Sequence, residues 1–402
     1  MSAANEEAPA VLMATYSPAP PVFVRGRGTE LFDEDGHRYL DFIGGLAVTS
    51  LGHSHPSVAA AVGEQAATLS HVSNLYRNAL APEVAATLDR LIGGGSTPAG
   101  GQVFFANSGA EANECAIKLA RRWAGPGRYR VVTALGSFHG RTLATLAATG
   151  QPEKHAPFQP VPEGFTHVPF DDLGAMEGAL DAASCAAVLL EPIQGEGGVV
   201  VPSSDYLAGV RKLCDERGVL LIADEIQTGL GRTGRWFAFQ AQDLQPDIVT
   251  MAKALGNGMP VGACWARAEV AAAFGPGDHG STFGGQPLAL SAVKATLAVM
   301  EAEDVCGRAR RAGARLAAGL GALPGVLDVR GAGLLLAARL SGDHAKDVAS
   351  RALAGGLLVN AVQPDSVRVA PPLLVSDAEI DEALAILGRA LREGAISGDG
   401  AR

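Results

Sequence analysis

Two apolar runs in this 402-residue chain each end in charge. Residues 219–223 (VLLIA) lead directly into Asp224 and Glu225, and residues 247–251 (DIVTM) stop two positions before Lys253. Short apolar runs of this length read as buried strands. In an open parallel sheet, ligands sit at the carboxyl ends of the strands, so an acid and an amine delivered there together point to a site. The chemistry they suit is a Schiff base. The lysine condenses with an aldehyde cofactor, while the acid pairs with a pyridinium nitrogen and keeps the ring electron-withdrawing. That cofactor would be pyridoxal 5'-phosphate. Six lysines compete for the role. Lys118, Lys212, Lys294 and Lys346 fall in helix-patterned stretches and Lys154 in a Pro-rich connection, whereas Lys253 alone follows a strand and precedes a glycine turn. Burial there would lower its pKa and make it nucleophilic near neutrality.

Other loops can complete such a site. In NSGAEANECAIKLAR, residues 107–121, the small residues Ser108, Gly109 and Ala110 stand between a strand and an amphipathic helix, leaving backbone N–H groups free for a phosphate. The helix dipole adds only about 0.3–1 kcal/mol, so N–H contacts must carry most of that binding. Ser108 reads equally well as an ordinary N-cap, and the stretch alone does not separate the two. In GSFHGRT, residues 136–142, Phe138 can lie flat on a pyridine ring and Arg141 can clamp a substrate carboxylate, with His139 read as a packing or hydrogen-bonding residue. EPIQGEGG, residues 191–198, puts Glu196 in a Gly-flanked loop, a solvated charge unless another group draws it to the site. GLGRTG, residues 229–234, satisfies a dinucleotide pattern but opens onto RWFAF and no clear helix, which argues against a nucleotide. His53 and His55 have no third ligand nearby, so both read as structural and no metal site is expected.

The elements that must position these loops alternate along the chain. Strand candidates at 102–106, 130–134, 186–191, 219–223, 247–251 and 261–266, with helical patterns between most of them, predict a largely parallel sheet covered on both faces. The first 55 residues form an extended arm and short strands turned at 26–28 and 35–36; a long Ala-rich helical pattern from about 287 leads into a smaller α+β region with strands near Val326 and Leu334. The expected fold class is α/β, divided into an N-terminal arm and part of the small domain (1–55), a large cofactor domain (56–290) and a C-terminal small domain (291–402). At 48% hydrophobic and 18% charged, the chain can bury a large core, and its net charge of -10 gives no footprint for nucleic acid or an anionic membrane. The acidic first ten residues, the lack of any membrane-length apolar run and five cysteines without a C-x-x-C pair predict a cytoplasmic enzyme with no disulfide framework.

NSGAEANE, FHGRT, EPIQGEGG, ADEIQTGLGRTG, MAKALGNGMP, HGSTFGG and VRVAPPL, in this order and across most of the chain, resemble the class III (ω-amino) pyridoxal-phosphate aminotransferases. Within that class TYSPAPPVFVRGRG, LDFIGGLAVTSLGHSHP, HVSNLY and LLVNAVQPDSVRVAPPL are most similar to the branch that acts on N-acetylornithine. The resemblance implies a fold type I homodimer with shared active sites. It implies that Lys253 carries the cofactor and moves the proton, that Asp224 holds the pyridinium, and that Ser108, Gly109 and Ala110 bind the phosphate. Phe138 would stack on the ring, Gln227 would meet the ring hydroxyl, and Thr282 would reach the phosphate in the partner subunit. For substrate, Arg141 would take the carboxylate distant from the reacting amine and Arg368 the α-carboxylate of glutamate or 2-oxoglutarate. Glu196 would cover Arg368 in the other half-reaction, and Tyr16 of the arm would contribute to substrate binding. Ornithine aminotransferases usually carry a tyrosine where this chain has Leu46, which favours an acylated amine here, and the usual asparagine after STFGG is Gln286. Ornithine, 4-aminobutyrate or succinyldiaminopimelate transamination, or a pyridoxal-phosphate aminomutase, are the alternatives. A non-enzymatic scaffold would have lost Lys253 or Asp224, and both are present.

Overall fold

The computed structural model describes residues 11–16, 21–242 and 244–398; the first ten residues and positions 17–20 of the expected arm lie outside the described residues. Alternating residues after the arm form an antiparallel meander of β1 (Phe23–Arg27), β2 (Glu30–Asp33) and β3 (Arg38–Asp41), turned at Gly28 and at Asp35–Gly36. Beyond it Asp41 organises a sharp feature. Its Oδ1 accepts from the N–H groups of Ile43 (3.0 Å) and Gly44 (2.8 Å), while its Oδ2 accepts from His53 Nε2 at 2.7 Å. Residues 44–47 then all take positive φ, Leu46 at 67° and Ala47 at 64°, so the GGLA stretch is one left-handed turn. Non-glycine residues visit that region at a cost of roughly 1–2 kcal/mol each. His53 thus gains a structural partner in Asp41.

The central sheet collects the apolar runs. It contains β4 (Gly101–Ala106), β5 (Arg130–Ala134), β6 (Phe165–Val168), β7 (Cys185–Leu190), β8 (Leu220–Asp224), β9 (Ile248–Met251) and β10 (Gly262–Arg267), in the order β4-β10-β9-β8-β7-β5-β6. Strands β5 to β9 are parallel to one another, and β10 runs antiparallel to both β9 and β4. The all-buried β7, β8 and β9 explain why uninterrupted apolar runs mark them. Strand β6 escapes the sequence pattern because FTHV is a short, half-buried edge. Asp224 pairs with Thr250 across β8 and β9, so both strands deliver their following residues to the same sheet edge.

The C-terminal part forms a second sheet of β11 (Val326–Ala332), β12 (Leu335–Leu340), β14 (Asn360–Gln363) and β15 (Ser366–Val369), ordered β11-β12-β15-β14. Before β14, the short β13 (Leu357–Leu358) pairs in parallel with β3, joining the N-terminal meander to this region. One apolar core runs from Leu40 and Phe42 through Trp265 and Leu290 to Leu316 and Leu387. The GLGRTG loop is clamped into it. Arg232, only 1% exposed, donates to the carbonyls of Leu334 (3.2 Å) and Pro371 and to Ser50 Oγ (2.9 Å), and its own carbonyl accepts from Leu334 N–H at 2.9 Å. Burial alone pushes this guanidinium down to about 9. The glycines of the motif serve that packing: Gly231 and Gly234 lie at φ 89° and 87°, and a Cβ on Gly234 would meet Arg310 at 2.5 Å.

Candidate active site

At the carboxyl edge of the central sheet lies a cavity of about 390 Å³ lined by Val48, Ser108, Gly109, Ala110, Phe138, Arg141, Glu191, Glu196, Asp224, Gln227 and Lys253, among others. Each side chain arrives from a different loop. Lys253 opens a short 3-10 turn, Lys253–Gly256, two residues past β9, with φ at 47°. That strained start lifts its amine away from the sheet toward the cavity. Desolvation, followed by repulsion from Arg368, lowers the Lys253 amine to about 8, with Glu196, Asp224 and Glu191 opposing.

Asp224, 3% exposed, ends β8 and is fixed from three sides. Its Oδ2 accepts from Asn113 Nδ2 and His139 Nδ1, both at 2.8 Å, and its Oδ1 accepts from Ile226 N–H at 3.1 Å. Asn113 in turn accepts from Thr250 Oγ1 at 2.7 Å and donates to the His139 carbonyl at 2.8 Å. The orientation of the acid is therefore set by a buried network, not by Asp224 itself. His139 keeps the hydrogen-bonding role expected for it. Asn113 was missed, although a signal existed: an amide on the buried face of the helix Gly109–Ala124 is a poor helix former that needs a partner.

That helix begins at Ser108, whose Oγ accepts from Glu111 N–H at 3.2 Å, while Glu111 Oε2 accepts from Asn107 N–H at 2.9 Å. Ser108 is thus the helix N-cap, with Glu111 turning back to Asn107, and the first-turn N–H groups of Gly109 and Ala110 face the cavity end without intrahelical acceptors. Close packing enforces the small residue: a Cβ on Gly109 would lie 2.7 Å from Ile226 Cδ1. Phe138 is held by Glu191, another residue that sequence reasoning passed over. Glu191 Oε2 accepts from Phe138 N–H (2.9 Å) and Oε1 from Gly195 N–H (3.3 Å), tying the two loops together. Desolvation pushes its carboxyl up to about 7.

The second charge system joins distant loops. Arg368 on β15, 2% exposed, donates through Nη1 to Glu196 Oε1 (2.8 Å) and Gln227 Oε1 (3.1 Å), and through Nη2 to Asn360 Oδ1 (2.8 Å). The arginine holds the Glu196 carboxyl below its usual range, against the opposing effect of burial. Arg141 stands exposed at the cavity mouth. Two expected residues are not brought to this cavity within the single chain: Tyr16 is 86% exposed on the arm, and Thr282 lies exposed beside Phe283. Gln286, by contrast, acquires a clear task. Its Oε1 accepts from Val72 N–H at 3.0 Å and its Nε2 donates to Asn74 Oδ1 at 3.2 Å, stitching residues 72–74 to the loop that carries Thr282.

This donor set fits pyridoxal phosphate: an amine of lowered pKa, an oriented carboxylate, an aromatic ring and free helix-start N–H groups share one cavity. The aminotransferase class-III family profile matches residues 12–391. An acetylornithine aminotransferase from Gloeobacter violaceus is 49% identical over 385 residues, covering 94% of each chain. Among solved structures, an ornithine aminotransferase from Toxoplasma gondii, with PLP partly occupying its active site, superposes with a TM-score of 0.89 at 35% identity, covering 94% of this chain and 92% of that one. An acetylornithine aminotransferase from Elizabethkingia anophelis gives 0.83 at 32% identity, covering 95% and 96%. With its mostly parallel seven-stranded sheet, and with a lysine and a helix start that line one cavity, this chain belongs to the class III pyridoxal-phosphate-dependent aminotransferases, with the fold type I architecture.

Proposed function

We propose that this aminotransferase moves the δ-amino group of N2-acetylornithine to 2-oxoglutarate, giving N-acetylglutamate 5-semialdehyde and glutamate. The observation that carries the reading is the closed Glu196–Arg368 pair at 2.8 Å beside an exposed Arg141. With Arg368 neutralised, the open guanidinium is the outer one, which suits a donor whose carboxylate lies far from its reacting amine. Release of Glu196 would free Arg368 for the α-carboxylate of glutamate or 2-oxoglutarate, so one pocket serves both half-reactions. Leu46, on the left-handed turn that ends at the cavity-lining Val48, offers no polar group to a free second amine, which supports an acylated donor. The name and near full-length identity of the Gloeobacter violaceus relative support the same choice.

Bound pyridoxal phosphate supplies an aldehyde that carries the amino group and a ring that withdraws electrons. In our assignment Asp224 holds the ring nitrogen, Ser108, Gly109 and Ala110 take the phosphate, Phe138 covers the ring face and Gln227 meets the ring hydroxyl. Lys253 Nζ would move the proton from the substrate carbon that bears the amine to the cofactor carbon that receives the amino group, and in the opposite direction in the second half-reaction. We assign Tyr16 to the substrate entrance and Thr282 to the phosphate of a partner subunit in a homodimer. Exposed Leu75 (87%), Tyr76 (71%) and Phe283 (67%) support an assembled form, because they sit on loops that Asn74 and Gln286 stitch into one surface. We place the enzyme in the cytoplasm, where its five free cysteines would stay reduced. The test is kcat/KM for N2-acetylornithine, ornithine, 4-aminobutyrate and succinyldiaminopimelate with 2-oxoglutarate. Preference for the acetylated donor is expected, and preference for free ornithine would overturn the assignment.

A further inference from the structure

A second lysine stands beside Phe138, which lines the cavity. Lys154 lies in the short helix Pro152–His155, half-buried, and its Nζ stands 5.3 Å from the centroid of the Phe138 ring. Arg141 Cζ lies 5.6 Å from the same centroid. Two cations therefore share one aromatic residue that itself lines the cavity. The hydrogen bond that Lys154 donates goes to the neutral Oε1 of Gln151, and Glu196, the one of the three cavity-lining carboxylates that acts on Lys154, is already engaged by Arg368. Burial and the neighbouring Arg141 both hold the Lys154 amine below the usual lysine range. The Lys154 amine and the Arg141 guanidinium lie within Coulombic reach of each other, like charges repel, and an aromatic ring offsets only part of that repulsion. A carboxylate within reach of both gains from both.

We propose that Lys154 is a second carboxylate-binding group of the substrate site, acting with Arg141 on the carboxylate remote from the reacting carbon. Arg141 supplies the planar fork and Lys154 a compact charge with mobile donors, so the two can hold one carboxylate without competing for the same oxygen lone pairs. The inference rests on the reading that the Arg141 end of the pocket receives that carboxylate. It adds a determinant of substrate choice: a donor with an anionic tail is favoured over the same amine without one.

The test compares holoenzyme with the Lys154→Met and Lys154→Arg variants, each first checked for unchanged cofactor absorbance. Two donors are used, N2-acetylornithine and N-acetyl-1,4-diaminobutane, which differ only by the carboxylate. For Lys154→Met the expected result is a KM about 10-fold higher for N2-acetylornithine and 2-oxoglutarate, the size of one lost charge-assisted hydrogen bond, with kcat nearly unchanged. The carboxylate-free donor should be unaffected, and Lys154→Arg should recover most of the loss. Calorimetric binding of glutarate, an unreactive dicarboxylate, should weaken by a similar factor. Equal losses for both donors, or unchanged glutarate binding, would overturn the proposal. If the wild type rejects N2-acetylornithine, the functional assignment fails while the glutarate measurement still decides Lys154.

Discussion

Lys253 is made useful by its surroundings. A lysine in water holds its proton to about 10.5, whereas desolvation and Arg368 bring this one to about 8. In the cofactor-free enzyme, the rate of reaction with added pyridoxal phosphate should therefore rise with pH and level off above about 8; stopped-flow absorbance would show it, and a rate still climbing steeply through pH 10 would refute the lowered value. Lys253→Ala should abolish the bound-cofactor absorption and cut turnover by at least the roughly 10²–10⁴-fold that a positioned acid–base group supplies. An unchanged spectrum would assign the link to another lysine. Neighbouring acids differ for equally physical reasons. Asp224 is held by side-chain and backbone donors, and desolvation pushes the neighbouring Glu191 carboxyl up to about 7.

At the scale of elements, the left-handed turn at 44–47 is the least expected device. Its four positive φ values place Leu46 and Ala47 where L-residues are strained, and Asp41 holds the turn through two backbone N–H groups and His53. Ala47→Gly should be close to neutral in stability, because relief of strain of about 1 kcal/mol offsets added freedom in the unfolded chain. Asp41→Ala should cost about 1–3 kcal/mol by stranding those donors. The same variant should weaken substrate binding, because Val48 follows the turn into the cavity. Thermal unfolding and KM of the two variants separate these outcomes. The sheet edge shows a complementary economy: β8 and β9 are adjacent and in register, so Asp224 and Lys253 emerge side by side without any long-range adjustment.

For the whole molecule, Arg232 is the bolt between parts. It joins the loop after β8 to Ser50 near the N-terminus and to Leu334 and Pro371 in the C-terminal part. Arg232→Met would leave three acceptors buried without a donor, at about 1–3 kcal/mol each, and should lower the thermal midpoint clearly more than Arg232→Lys. Stability should also depend on pH through Glu225, whose carboxyl burial raises to about 7 from 4.5. Because the folded pKa is the higher one, stability is full below about 4.5, falls as the unfolded chain ionises first, and levels off above about 7. Glu225→Gln should remove on the order of 3 kcal/mol of that loss between pH 5 and 8, read from urea unfolding. The proposed dimer makes its own prediction. Phe283→Asp with Tyr76→Asp should shift sedimentation from two chains toward one.

How much of this was legible in sequence follows from range. Six of the seven central strands declared themselves, five as runs buried almost throughout and β4 through its apolar VFFA, and Asp224 and Lys253 followed because each sits at or just past a strand end. Strand β6 did not, being a half-buried edge, and nothing in GACWAR records that β10 runs antiparallel. Roles that depend on contact stayed hidden. Glu196 reads as a loop charge until folding brings it to Arg368, 172 residues away, and Lys154 reads as a connection until it meets Phe138 beside Arg141. By itself the sequence determined which residue types end the strands and open the helix after β4, because local periodicity and capping need only near neighbours. Which charge faces which, and hence which end of a substrate each would hold, was decided only when the sheet edge gathered loops that share no local signal.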